Sequence, residues 1–288
     1  MKTSTEIQHV ARKVGLEKAI EYVAKAGFDA WDFSMCDMSR FIETTGEISY
    51  RIPELMGNDY LKYARRLKQV GLDNGIVCNQ SHAPFPASNP EIRSYFKRAI
   101  ECTAEAGGNI CVIHPDNNKS PQENADMYFE ILDFAKKCGV KIATENMWNW
   151  DTKKDCAIFA ACATPENFKA HIDAVNDDFF VACVDIGHAE MMGPDVSAVN
   201  MIKMLGSKVQ ALHIHDNDKL HDSHQIPFSM DIDFVPIVKA LQEINYSGFF
   251  TLETMYMADY EIDNIPTGLK NLSQSVRRLA DMFDGKIK

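Results

Sequence analysis

Six apolar runs in this 288-residue chain end in a side chain that can bind a divalent cation. His82 follows GIVCNQS, His114 follows ICVI, Glu145 ends KIAT and Asp185 ends VACV. His213 and His215 close the run VQAL, and Glu253 ends FFTL. Taken singly, a carboxylate in such a place is most often a helix cap, and a lone histidine in an apolar run is most often a hydrogen-bonded core residue. A succession of six is different. Carboxylates and imidazoles buried together are costly unless something compensates their charge and desolvation, and a divalent cation does so. A mixed carboxylate and imidazole set suits Mn²⁺, Co²⁺, Mg²⁺ or Zn²⁺, with Mn²⁺ the favoured expectation.

Two local patterns add to this. Asp185 and His188 form D-I-G-H, which lets a ligand and a second polar side chain reach one pocket. The run HIHDNDKLHDSH, residues 213–224, holds four histidines together with Asp216, Asp218 and Asp222. Just after Glu145, Trp148 and Trp150 in ENMWNWD offer apolar walls to a pocket, with Phe85, Met255 and Met257 shaping the same mouth.

These residues need elements that bring them to one place, and the chain alternates short apolar runs with longer amphipathic segments. Strands are expected within 2–8 and at AWDFSM, GIVCNQSH, NICVIHP, VKIATEN, FFVACVDIGH, VQALHIHD and GFFTLET. Helices are expected over 15–26, within 56–73, and over 90–106, 121–138, 164–175, 195–205, 233–244 and 266–284 by their apolar spacing. Alternation of this kind implies a parallel sheet. Eight units without a GxGxxG or GxxxxGK[ST] loop argue for a closed (β/α)8 barrel rather than a nucleotide-binding open sheet. In such a barrel the C-terminal strand ends share one face, so the ligands would converge. No linker or low-complexity stretch divides the chain, and residues 1–288 are expected to form a single domain.

Composition narrows the function classes. With 30 Lys and Arg against 41 Asp and Glu, the net charge is −11, which works against non-specific nucleic-acid binding. The eight cysteines include no CxxC pair and read as reduced thiols. No signal-peptide core or membrane-length apolar run is present, so a cytoplasmic protein is expected, with no membrane partner.

The strand-end residues, in this order, resemble the xylose isomerase-like barrel superfamily over nearly the whole chain. That superfamily includes sugar epimerases, hydroxypyruvate isomerase, inosose dehydratase and endonuclease-IV-type enzymes. Similarity to the epimerase-like members implies one divalent ion held by Glu145, Asp185, His215 and Glu253, with His188 on the substrate. His215 is preferred to His213 because the ligand in similar members takes the second position of H-x-H. Similarity to the endonuclease-IV type implies further ions on His82, His114, His188, Asp222 and His224. The chain departs from the ketohexose epimerases in having His221 where they carry an arginine. It departs again at PFSMDIDF, which replaces a glycine-rich stretch.

The resulting expectation is a divalent-metal-dependent isomerase or epimerase of a small sugar or sugar derivative. Glu145 and Glu253 would move a proton next to a carbonyl through a metal-stabilised enediolate. Epimerisation, isomerisation and dehydration all stay open, as does the oligomeric state, a homo-oligomer included. The alternatives are a multi-zinc phosphodiesterase acting on abasic DNA and a metal-binding barrel active only with a partner protein.

Overall fold

Valine, isoleucine, alanine and phenylalanine dominate the apolar runs, and most residues within them are shielded on both faces, as parallel strands between helices and a barrel interior must be. The computed structural model describes residues 1–42, 44–193, 196–255 and 261–287. Eight strands form the barrel: β1 (Lys2–Thr5), β2 (Ala30–Ser34), β3 (Val77–His82), β4 (Ile110–Val112), β5 (Lys141–Glu145), β6 (Phe180–Asp185), β7 (Val209–His213) and β8 (Phe249–Leu252). β2 through β7 pair in parallel in chain order, and β1 pairs in parallel with β8. Parallel bridges from Glu6 to Asp32 and from Ile214 to Leu252 close the ring.

The main outer helices are α1 (Leu16–Ala26), α2 (Tyr60–Asp73), α3 (Phe96–Ala106), α4 (Pro121–Cys138), α5 (Pro165–Val175), α6 (Ala198–Leu205), α7 (Phe234–Glu243) and α8 (Ile265–Phe283). Their starts are set by local chemistry. Ser120 and Glu123 form a reciprocal capping box ahead of α4, with Pro121 at its first turn. Asp233 caps α7 by accepting from Val235 N.

Several boundaries differ from the sequence expectation. The expected strand FFVACVDIGH ends at Asp185, because that side chain accepts from His188 N and opens a short helix, Ile186–Glu190. The 90–106 helix is split into Pro90–Arg93 and Phe96–Ala106. An extra helix, Gln8–Val14, precedes α1. Two hairpins stand outside the barrel: Arg40–Ile42 with Glu47–Ser49, and Trp148–Asp151 with Cys156–Phe159.

The barrel interior has two unlike halves. Ile110, Val112, Ala143, Val181, Cys183 and Ala211 form a small apolar cluster separate from the helix–sheet core. Across from it Ser4, Asp32, Asn79, Gln80 and Thr251 are buried and hydrogen-bonded to one another. All eight cysteines are free thiols, and no helix among the described residues is long and apolar enough to cross a membrane.

Candidate metal centre

The strand-end side chains converge at the C-terminal mouth of the barrel. Glu145, Asp185, His213 and His215 are fully shielded from solvent, and His82, His188 and His224 are nearly so. Their donor atoms fall into overlapping groups within 4.8 Å: Glu145, Asp185, His213 and Glu253; His82, His114 and Glu145; and His188, His215, Asp222 and His224. Ligand atoms about 2.0–2.2 Å from a common ion fit that spacing. Glu145 links the first two groups, with Oε2 at 3.3 Å from His114 Nε2 and 3.2 Å from His213 Nδ1. Asp185 links the first and third, its Oδ1 lying 3.2 Å from His215 Nε2.

The sequence expects His215 to join Glu145, Asp185 and Glu253; the donor atom that groups with those three is instead that of His213. His213 occupies that place, and His215 faces Asp185 and Asp222. The two-residue repeat of an extended segment sends both side chains to the same face, one pleat apart, so both reach the centre. Gly187 makes room for the second, since a Cβ there would meet the His215 ring at 1.9 Å.

Four of the histidines are held alike. Nδ1 of His82 donates to Ala83 O at 2.8 Å, that of His188 to Asn146 O at 2.9 Å, and that of His224 to Glu253 O at 2.9 Å. His215 Nδ1 lies 3.5 Å from Asp216 O. Each ring then presents Nε2 to the centre, with the backbone fixing its tautomer.

Several donor atoms of the centre have no hydrogen-bond partner among the described residues. Both carboxylate oxygens of Glu145, Oδ2 of Asp185, both ring nitrogens of His213, Nε2 of His215 and Oδ1 of Asp222 lack a hydrogen bond. Burial pushes the Glu145 and Asp185 carboxyls up, yet the surrounding imidazoles outweigh it and hold both below the usual range. Burial opposes charge on His213, but Cys183, Glu253 and Glu145 raise its pKa well above that of free histidine. His224 is likewise opposed by burial and raised, to about 9, by Asp222. Without a cation His188, His213 and His224 therefore carry the compensating protons. A divalent ion would meet the same carboxylates and complete the orphaned atoms, so this donor set fits one.

A cavity of about 690 Å³ opens over these groups. Glu145 and Glu253 line it, together with Glu6, His9, Cys36, Phe41 and Thr254. Trp148 and Trp150, on the second hairpin, form part of the wall, Trp148 with its ring centroid 6.3 Å from that of His188. Phe85 stacks on His114 at 5.0 Å. Met255 also lines the cavity, while Met257 lies outside the described residues. Of the remaining polar loop, His221 pairs with Asp218 at the surface. The Asp216 carboxylate accepts from the amides of Asn217, Ser229, Met230 and Ile232 and so anchors the loop.

Sequence reasoning missed Glu6 and Asp32. Glu6 follows β1 as the other acids follow their strands, and burial, with Glu253 and Asp32 nearby, pushes its carboxyl up to about 8. Asp32 is a charged residue in the middle of the fully buried strand AWDFS, which was itself a signal.

Residues 20–282 match the family described as xylose isomerase-like TIM barrel. Uncharacterized protein MJ1311 of Methanocaldococcus jannaschii is 26% identical over 262 residues, covering 85% of this chain and 80% of that one. Among solved structures, a D-tagatose 3-epimerase-like protein aligns with a TM-score of 0.74 at 21% identity over all of both chains. The IolI protein, described with a binding zinc atom, aligns with a TM-score of 0.76 at 18% identity over 98% of this chain and 99% of that one.

Proposed function

The chain belongs to the xylose isomerase-like TIM barrel family, and on that footing we propose that it is a divalent-metal-dependent isomerase or epimerase of sugars or sugar derivatives. One observation carries the reading: two glutamates, Glu145 and Glu253, converge with Asp185 and His213 at the base of a cavity they both line. The zinc described in IolI and the name of the epimerase-like structure are consistent with it.

Glu145, Asp185, His213 and Glu253 would hold the ion. When bound, the ion supplies electrostatic stabilisation to negative charge developing on a substrate oxygen. The chain supplies the rest. Glu253 is the more open of the two acids, its side chain 20% exposed against 1% for Glu145, and it is placed to take a proton from a substrate carbon. Glu145 provides a second carboxylate for returning it. Trp148 gives the C–H face of a sugar ring an apolar surface, and the cavity walls limit water near the reacting carbon.

The test is solvent deuterium uptake into a panel of ketoses and keto-glycosides with Mn²⁺, Co²⁺, Zn²⁺ or Mg²⁺ added. Exchange at a carbon next to the carbonyl is expected, falling roughly 10²–10⁴-fold in Glu253→Gln. No exchange with any of these would refute the reading.

A second reading has its own support. The His82–His114–Glu145 and His188–His215–Asp222–His224 groups could hold two more ions, as in an endonuclease-IV-type phosphodiesterase. The net charge of −11 weighs against a DNA substrate. Cleavage of abasic DNA by the zinc-loaded protein, without sugar exchange, would favour it.

A further inference from the structure

His213 is oriented unlike its neighbours. In His82, His188 and His224, Nδ1 is engaged by a backbone carbonyl and Nε2 faces the centre. In His213 the ring is reversed: Nδ1 faces Glu145 Oε2 at 3.2 Å and Glu253 Oε2 at 3.4 Å. Nε2 points down into the barrel, where Asp32 Oδ2 lies 3.6 Å away. Neither ring nitrogen of His213 has a hydrogen bond, and neither does Asp32 Oδ1.

Asp32 is completely buried, and an aspartate inside a barrel is costly to keep. Its surroundings hold it in place. Gln80 Nε2 donates to Asp32 Oδ2 at 2.9 Å and reaches the carbonyl of Leu212, next to His213, at 3.4 Å. Thr251 Oγ1 and Asn79 Nδ2 donate to Gln80 Oε1, at 3.4 Å and 3.3 Å. Ser4 Oγ donates to Asn79 Oδ1 at 2.6 Å. This chain of buried polar groups spans β1, β3 and β8 and ends on one carboxylate beneath one imidazole.

We infer that Asp32 is a positioning residue for the metal centre, accepting the Nε2 proton of His213 so that its Nδ1 lone pair is presented to the ion. A ligating histidine needs an acceptor for its other N–H. The rings of His82, His188, His215 and His224 use backbone carbonyls, whereas His213, with its ring reversed, has the carboxylate of Asp32. The inference rests on the metal-dependent reading above and extends it to a residue that makes no contact with substrate.

The experiment measures zinc affinity by competition with a chromophoric chelator for the full chain, Asp32→Asn and Glu145→Gln, alongside ¹⁵N NMR of the histidine rings in the zinc-loaded wild type. Zinc binding by Asp32→Asn should weaken roughly 10–100-fold, and His213 in the wild type should carry its proton on Nε2 and zinc on Nδ1. In the wild-type spectrum the His213 Nε2 proton should also show the downfield shift of an N–H bonded to a carboxylate, which a residue that merely filled the barrel would not produce, so an unshifted proton would overturn the positioning role even if the variant fails to fold. Unchanged affinity in a folded Asp32→Asn, with affinity lost in Glu145→Gln, would overturn the positioning role and leave the metal reading standing. A proton on Nδ1 of His213 would overturn it as well. No zinc binding by the wild type would overturn both.

Discussion

Glu145 Oε2 and His213 Nδ1 lie 3.2 Å apart with both side chains shielded from solvent, and neither atom makes a hydrogen bond. Close approach without a bond is the arrangement expected of two atoms aimed at a third. It makes Glu145 and His213 the pair on which the site turns, and it separates His213 from His215.

Substituting the two histidines should therefore give different results. His213→Gln is expected to lose the ion shared with Glu145, Asp185 and Glu253, and with it sugar proton exchange. His215→Gln should retain that ion. Metal content by elemental analysis after saturation and desalting tells the two apart. Equal losses would show that the groups do not bind independently.

Metal binding should release protons. His188, His213 and His224 have raised pKa values because of Asp185, Asp222, Glu253 and Glu145, against the opposing effect of burial. An ion displaces the protons those carboxylates favour, so affinity should rise with pH toward about 9, the value for His224. Calorimetry in buffers of different ionisation enthalpy would reveal the proton count. A heat independent of buffer at pH 7 would contradict it.

Glu6 gives a second pH signature, read on chelator-treated protein. Its folded pKa of about 8 lies above the reference value of 4.5. The contribution to stability is then fully present below about 4.5 and is lost as pH rises toward 8, after which it stays lost. Glu6→Gln, neutral throughout, should match the wild type at pH 4 and exceed its unfolding free energy by a few kcal/mol, in order of magnitude, at pH 8.5. Parallel pH profiles for the two proteins would rule this out.

Gly187→Ala should displace His215, because the added Cβ would overlap its ring. A cost of about 1–3 kcal/mol in stability is expected, with weaker metal binding at the His188, Asp222 and His224 group if it holds an ion. Unchanged stability and metal content would mean that the ring has room to move.

Much of this could be read from the chain. The barrel follows from the alternation of apolar runs and helical spacing, and the candidate ligands follow from the acids and histidines that close those runs. Choosing between His213 and His215 was beyond it, because a two-residue period sends both to one face and their depth depends on where β7 ends. The ending of β6 at Asp185 was also hidden, since it depends on a side chain capping a helix of five residues. Asp32 and Glu6 were overlooked for a related reason. Each is an isolated acid in or beside a short strand, and its meaning comes from partners far away in sequence: Gln80 and His213 for Asp32, and the neighbourhood of Glu253 for Glu6.

The most direct test of the central claim is anomalous diffraction from crystals soaked in Mn²⁺ or Co²⁺. A peak within about 2.0–2.2 Å of atoms of Glu145, Asp185, His213 and Glu253, absent in Glu145→Gln, is the predicted result. A peak that leaves these four residues untouched, or none at saturating metal, would contradict the account.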